Sequence, residues 1–105
     1  MDRDYDLRLE TPKGQSSGYL IFMIEGSALN GVLNIENAHA SFFGGTFDEH
    51  EFSFKGTIYL HYLHFNYQVN GLWLTDKIAG TVTIKHKQYH FVGFPHRKTS
   101  AKLER

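Results

Sequence analysis

Seven histidines are the residues in this 105-residue sequence best suited to bind a metal ion or to transfer a proton. A zinc site needs three or four His, Cys, Asp or Glu side chains that converge on one point. His61 and His64 are three residues apart in a predicted strand, so their side chains point to opposite faces. His86 shares the inward parity of Ile84, whereas His90 points outward. Because the chain also lacks cysteine, we expect no metal site.

A catalytic acid–base pair needs two titratable groups in one cleft, and the acidic residues do not provide it. Every Asp and Glu falls at a predicted outward position, a turn or a terminus. His86 and a buried tyrosine could transfer a proton, but such a tyrosine more often forms a hydrogen bond at a barrel rim. The run 43–46 precedes a strand and not a helix, so it is not a phosphate-binding loop. We predict no enzymatic activity and no cofactor, and keep an enzyme that uses His86 and a tyrosine as a third hypothesis.

Aromatic and polar side chains predict a small-molecule site at one mouth of the fold. Tyr67, His86 and Tyr89 are predicted to face inward, and Trp73 lies at the tip of a lengthened hairpin. An eight-stranded barrel is wide enough to be filled by side chains or to admit one small ligand, and the many large inward residues favour a filled interior. The alternative function is therefore a carrier or sensor of a small apolar ligand at the mouth. The ring of Trp73 could instead close that end of the barrel.

An apolar stretch on the predicted outer surface is a second candidate site. Tyr19, Ile21 and Met23 alternate along the second strand and face outward, as does Phe43. The counterparts of the first three on the sixth strand are polar: His64, Asn66 and Gln68. Exposed apolar patches usually mark contacts with another protein. The leading prediction is a non-enzymatic module that self-associates, as a homo-oligomer, or docks a partner through these residues, unless the C-terminal tail or the loop at 11–18 covers them.

The elements that carry these residues are predicted to be strands, from alternating polar and apolar residues and from turn residues. Asp4–Glu10 alternates strictly, and no window has a helical period. Eight strands are predicted near 4–11, 18–25, 29–36, 40–46, 51–58, 61–69, 77–86 and 89–94. The predicted fold class is all-β, an eight-stranded antiparallel meander barrel or closed β-roll, with a sandwich as the alternative.

Two parts of the chain resemble one another. The matching segments are Gly31–Ile35 with Gly80–Ile84, Phe42–Gly44 with Phe91–Gly93, and Leu20–Gly26 with Phe65–Gly71. The last pair has a smaller offset, which we interpret as a four-residue insertion, Leu72–Thr75, in the second copy. We predict two four-stranded pseudo-repeats, about 4–46 and 51–95, in a single domain of residues 1–95 with a basic C-terminal tail at 96–105.

Two-residue turns set the predicted registers. A turn at Gly26-Ser27 places Phe22 opposite Gly31 and Ile24 opposite Leu29. The same construction in the second copy gives these pairs: Tyr67 with Gly80 and Val69 with Ile78. Glycines predicted at inward positions would let the sheet bend: Gly31, Gly44, Gly56, Gly80 and Gly93.

The predicted core draws on both copies, and burying each large apolar side chain contributes about 1.5–3 kcal/mol. The inward residues are predicted to be Tyr5, Leu7, Leu9, Leu20, Phe22, Ile24, Leu29, Leu33, Ile35, Phe42, Phe52, Phe54, Ile58, Leu63, Phe65, Tyr67, Val69, Ile78, Val82, Ile84, Tyr89 and Phe91.

Several turn motifs resemble those of an uncharacterised family of small bacterial all-β domains. They are Thr11-Pro12-Lys13-Gly14, Phe43–Asp48, Phe52–Phe54, Val69–Gly71, Asp76–Thr81 and Phe91–Gly93. The resemblance covers nearly the whole chain up to Phe94 and implies a Thr-Pro-x-Gly start followed by a duplicated glycine-marked hairpin unit. It implies no activity, because none is established for that family. The chain departs from the family at Leu72–Thr75 and at Asp48–His50, where Asp-Gly is expected.

The formal charge is zero, but the charge is distributed unevenly. Residues 1–52 sum to −6 and residues 53–105 to +6, so the halves attract one another within a chain or between copies. The neutral total argues against a nucleic-acid partner in spite of the basic runs 85–87 and 96–98. No apolar run could span a membrane, and Met1–Asp4 lacks the apolar stretch of a signal peptide, so we expect a cytoplasmic protein.

Overall fold

The computed structural model describes residues 2–35, 38–60 and 63–96 of the chain. The strands have these bounds: β1 Asp2–Thr11, β2 Gly14–Glu25, β3 Ala28–Ile35, β4 Ala38–Phe47, β5 Glu51–Leu60, β6 Leu63–Trp73, β7 Ile78–Ile84 and β8 Lys87–Pro95. They close into one antiparallel barrel in chain order, with β8 paired to β1. The predicted all-β class and eight-stranded meander barrel are confirmed.

In strand β1, the alternation of apolar and polar residues corresponds to an alternation of buried and exposed side chains. Tyr5, Leu7 and Leu9 are buried, whereas Asp6 and Arg8 between them are exposed. Successive side chains of a strand point to opposite faces, so a period of two directs all three apolar residues into the barrel. The same pattern recurs along the other strands and builds one continuous core.

The register of the first predicted hairpin is confirmed and that of the second is wrong. Phe22 pairs with Gly31 across β2 and β3, as predicted from the turn. In contrast, Val69 pairs with Val82, and Tyr67 pairs with Ile84. The reason is that β6 continues through Leu72 and Trp73, and the turn to β7 comes only afterwards, where the Leu74 N–H donates to the Lys77 carbonyl at 2.9 Å.

The segment Leu72–Thr75 is therefore not an insertion. The pair Leu20–Leu33 on one side of the barrel is equivalent to the pair Val69–Val82 on the other side. Each residue of the first pair is 49 positions before its counterpart in the second pair. The spacing is the same as that of the other matched segments, so the smaller offset that we predicted is wrong. On this spacing the outward counterparts of Tyr19, Ile21 and Met23 become Gln68, Asn70 and Leu72.

Strand β7 ends two residues earlier than predicted. Lys85 and His86 form the turn to β8, with φ angles of 53° and 67°. A two-residue hairpin turn with positive φ at both positions matches the twist of the flanking strands. The prediction that His86 continues the strand and faces inward is wrong, because in this turn its side chain is exposed. The predicted strand residues 61–62 lie outside the described residues.

Strand β4 contains a bulge at Phe43 and Gly44, which together lie opposite the single residue Asn30 of β3. Gly44 has a φ of 73°, and its N–H donates to Oδ1 of Asn30 at 3.0 Å. The extra residue moves the inward position from Gly44 to Gly45, which is buried. The prediction that Gly44 faces inward is wrong for this reason.

Aromatic rings fill one half of the interior. Phe22 is fully buried, and its ring packs edge to face against five others: Tyr5, Phe42, Phe52, Phe54 and Trp73. Of the predicted core residues, Leu63 is an error, since 58% of its surface is exposed. It is the first residue of β6, at the rim and beyond the packed core.

Two predicted inward glycines lie where neighbouring backbones approach too closely for any side chain. A Cβ atom on Gly31 would collide with the carbonyl oxygen of Ile21. One on Gly80 would collide with the carbonyl oxygen of Asn70. Bare backbone at these points lets the sheet coil tightly enough to close.

Candidate functional site

The structure does not bring the four residues of the predicted mouth together. Trp73 pairs with Ile78 at one end of β7, whereas His86 follows the opposite end of that strand. Seven residues of extended chain separate the two ends by roughly 20 Å. Tyr67 and the half-buried Tyr89 lie closer to His86 than to Trp73 along their strands. A single site formed by all four residues is therefore excluded by the geometry.

Trp73 closes one end of the barrel. Its ring centroid lies 5.2 Å from that of Phe22 and 4.6 Å from that of Phe52. The guanidinium carbon of Arg3 lies 5.3 Å from the indole centroid, within the range of a cation–π contact. Rings pack against Trp73 inside the barrel, and the guanidinium of Arg3 covers it. Trp73 therefore closes this end of the barrel, which is the alternative that we considered from the sequence.

Tyr67 has an unusual environment for a buried phenol. The residue is only 3% exposed, and its hydroxyl has no hydrogen-bond partner among the residues that the structure describes. Burial raises the pKa of Tyr67 to about 12, so the phenol is neutral and can donate a proton in a hydrogen bond. A Cβ atom on Gly56 would lie 2.9 Å from this hydroxyl oxygen, so the missing side chain at Gly56 leaves room for it.

A groove runs across the outer side of the barrel next to Tyr67 and Gly56. It has a volume of about 880 Å³, and we call it the basic groove after its basic side chains: Lys55, Lys85, His64 and His86. No Asp or Glu lines it among the described residues. From the sequence, Lys85 and His86 were noted only as part of a basic hairpin tip, and nothing pointed to Lys55. The pairing of β5 with β6 and of β6 with β7 brings Lys55 to the same groove as these two residues.

The four residues of the predicted partner surface lie on the outer side of β2 and β4, and we call them the outer apolar face. Tyr19 and Met23 are exposed, and Ile21 is half-buried beside Val32. Phe43 is 76% exposed, the largest exposed fraction among the large apolar side chains described. The structure thus places all four residues on one side of the barrel, with β3 between them.

The bulge in β4 determines the position of Phe43. Since Phe42 is buried and Gly44 adopts a left-handed conformation, Phe43 lies at the crest of the bulge. The amide of Asn30 is turned to the backbone of Gly44, away from Met23 on the other neighbouring strand.

The outer positions within this face, on β2 from Ser17 to Met23 and on β3 and β4, carry no Asp, Glu, Lys or Arg, whereas Asp4 and Asp6 of β1 lie opposite Ile21 and Tyr19 at its edge. The positions within the face are Ser17, Tyr19, Ile21 and Met23 on β2, Asn30, Val32 and Asn34 on β3, and His39, Ser41 and Phe43 on β4. The side chains of Asn34 and His39 are hydrogen-bonded to each other at 2.9 Å. The cores of protein interfaces are similarly depleted of charged residues.

His96, the last described residue, is hydrogen-bonded to β1. The His96 N–H donates to the carbonyl of Asp4 at 2.9 Å, and its Nδ1 lies 2.9 Å from a carboxylate oxygen of Asp6. Apart from His96, the predicted basic tail, 96–105, lies outside the described residues. His96 lies next to Tyr19 and Ile21, at the edge of the outer apolar face.

Within residues 2–35, 38–60 and 63–96, no three His, Asp or Glu side chains are grouped so that they could hold a metal ion. His61, one of the histidines weighed from the sequence, lies outside these ranges. The same part of the chain has no helix long and apolar enough to cross a membrane.

Comparison with known proteins assigns no family to the chain. No protein-family model matches it, and no curated protein matches it either.

Proposed function

We propose that this protein is a non-enzymatic binding module that self-associates through the outer apolar face. The observation that carries the proposal is Phe43, which the β4 bulge holds 76% exposed. Aromatic side chains of this kind are the usual anchors of protein interfaces. A closed barrel has no free sheet edge, so copies associate through side chains and not by adding strands.

The arrangement of the face suits a two-fold dimer. Met23 and Phe43 lie on the two neighbours of β3, both at the level of Asn30. Two strand spacings separate them by roughly 10 Å. A two-fold axis parallel to β3 therefore sets Phe43 of each copy against Met23 of the other, the reciprocal contact that a closed dimer requires.

Electrostatics do not oppose this association. The formal charge of the chain is zero, so two copies have little net repulsion. The acidic residues Asp4 and Asp6 lie on β1, to one side of the face and away from the proposed axis. The alternative of a small apolar ligand at the mouth has less support, because rings occupy the interior beside Trp73.

Sedimentation equilibrium tests the proposal. We expect the wild type to approach twice its monomer mass of 12.1 kDa with increasing concentration. Phe43→Lys and Ile21→Lys should each give a folded monomer, because a lysine at the centre of the interface would lose its water without gaining a partner. A wild type that stays monomeric throughout would overturn the proposal.

Leu72→Lys is the matched control. Leu72 is 47% exposed on the outer side of β6, so the same type of substitution there should leave both the fold and the association unchanged. If Leu72→Lys abolished the dimer as completely as Ile21→Lys, the interface would not be the outer apolar face.

A further inference from the structure

The basic groove gathers positive charge that nothing in the described protein neutralises. Lys55 and Lys85 both line it, and no acidic residue does so among those described. Neither lysine forms an ion pair with another described residue. A concave surface with charge of one sign concentrates ions of the opposite sign.

The backbone holds Lys85 in place at the groove. It occupies the first position of the β7–β8 turn, where glycine or asparagine would adopt the observed φ of 53° with less strain. Its Nζ lies 4.5 Å from the ring centroid of the half-buried Phe65. The groove therefore presents an ammonium group beside an aromatic surface, which suits a ligand with a charged end and an apolar body.

The hydroxyl of Tyr67 is an independent sign of a missing ligand. Tyr67 lines the groove, and its hydroxyl is buried without a partner in the described residues. Leaving a buried polar group unpaired in this way destabilises a protein. A hydrogen-bond acceptor beside Gly56 would supply the missing bond.

The pairing of the barrel wall is irregular beside the groove. Strands β4 and β5 form residue pairs at His39–Tyr59, Thr46–Ser53 and Phe47–Phe52, with a register shift between the first two. Gly56 lies in this irregular stretch of β5 and is paired on its other side with Tyr67 of β6. The missing side chain at Gly56 leaves space next to the Tyr67 hydroxyl, where we place the acceptor oxygen.

We propose that the basic groove binds a small organic anion, a carboxylate or phosphate monoester joined to an apolar or ring-shaped body. The anionic group lies between Lys55 and Lys85, the body packs on Phe65, and one oxygen accepts a hydrogen bond from the Tyr67 hydroxyl. The groove volume of about 880 Å³ is in the range of small-molecule sites. Phe43 of the outer apolar face also lines this groove, so the two sites meet at that residue. The residues assigned to the anion lie on β5, β6 and the β7–β8 turn, and their role does not depend on self-association.

Titrations followed by amide NMR test the site with four probes: phenyl phosphate, benzoate, inorganic phosphate and phenol. Saturable shifts of the Lys55 and Lys85 amides are expected with phenyl phosphate or benzoate, and the tighter of the two identifies the anionic group. Inorganic phosphate should bind more weakly, and phenol should not bind. The absence of saturable binding by both aromatic anions would overturn the proposal, as would tighter binding of a single-stranded oligonucleotide.

Lysine variants locate the charged group. Lys55→Ala and Lys85→Ala should each weaken binding of the better anion about tenfold, the loss expected for one charge-assisted hydrogen bond. Lys13→Ala removes an exposed lysine from the β1–β2 turn and should change the affinity less than about twofold, which makes it the matched control. Equal effects at all three lysines would show general charge attraction and contradict the site. Repeating the titration in Ile21→Lys separates this result from that of the self-association test.

Tyr67→Phe distinguishes a binding role of the hydroxyl from a structural one. Because the hydroxyl has no described partner, its removal should raise the melting temperature of the ligand-free protein. The same variant should bind the anion about fivefold or more weakly, since the donor is lost. A higher melting temperature with unchanged affinity would overturn the assignment of the hydroxyl to the ligand.

Discussion

The ring of Trp73 packs edge to face against that of Phe22, with centroids 5.2 Å apart, although the two residues belong to opposite walls of the barrel. Strands β2 and β6 are four positions apart in the ring of eight. Contact across the full interior shows that this end of the barrel is filled by side chains. The rings of Phe52 and Phe54 on β5 also contact that of Phe22. Phe22 on β2 therefore packs against side chains of both β5 and β6.

Phe22→Ala should therefore destabilise the protein strongly. The fully buried ring contacts five others, and its removal leaves a cavity that rigid walls cannot fill, at a cost of about 3–5 kcal/mol. Urea unfolding followed by Trp73 fluorescence measures the change. Tyr59→Ala, which removes an exposed ring from β5, is the control and should change the free energy of unfolding little.

Gly80→Ala and Gly26→Ala should separate steric collision from backbone strain. A Cβ on Gly80 meets backbone atoms of Asn70 and Gly71, so we expect a loss of about 3 kcal/mol. Gly26 has open space around it and a φ of 61°, so only the left-handed conformation is penalised, by about 1 kcal/mol. Denaturant midpoints that are equal for the two variants would contradict this explanation of sheet coiling.

The double variant Lys85→Asn/His86→Gly should be more stable than the wild type. Both wild-type residues have positive φ, and Asn-Gly adopts this hairpin turn with little strain, which predicts a gain of roughly 1–2 kcal/mol. Thermal unfolding measures the gain. Lys85→Ala/His86→Ala removes the same side chains but keeps the strain, so it should show no such increase.

Asp48 should make stability depend on pH at the acidic end. Its carboxylate accepts hydrogen bonds from the N–H groups of His50 and Glu51, and these bonds lower its pKa below the ordinary value of 3.8. The stabilising contribution is therefore fully present above that value and is lost as the pH falls through the lower pKa of the folded state.

Asp48→Asn provides the comparison, because it keeps the acceptor oxygen without the charge. Melting temperatures recorded from about pH 6 to about pH 2 should fall more steeply for the wild type than for Asp48→Asn. Parallel curves for the two proteins would show that the carboxylate charge does not contribute to stability.

The barrel fold could be predicted because turn residues and alternation within short segments of the sequence determine its strands and most of its hairpins. The Gly26 turn and the alternation around it determine which residues of β2 and β3 pair, and Phe22 opposite Gly31 follows directly. The β6–β7 hairpin was harder because Leu72, Trp73 and Leu74 continue an apolar run with no glycine to mark its end. The β4 bulge was hidden for a related reason, since either glycine of the Gly44-Gly45 pair could have faced inward.

The candidate sites differ in how far sequence could reach them. The outer apolar face follows from parity along single strands, so its residues could be named in advance. The basic groove depends on which strands become neighbours and on the missing side chain at Gly56, which places the Tyr67 hydroxyl behind β5. Parity also could not show that Trp73 and His86 flank opposite ends of β7, because that depends on the hairpin register.

The pairing of β1 with β8 has a consequence for the order of folding. Every other pair of neighbouring strands is a hairpin, whereas the pairs Leu9–Phe91 and Tyr5–Pro95 join residues 82 and 90 positions apart in sequence. The entropic cost of such a long loop delays this contact, so the meander forms first and the cylinder is completed late. Until then two molecules can complete each other's cylinders, and refolding at high protein concentration should yield strand-exchanged dimers that dilute refolding avoids.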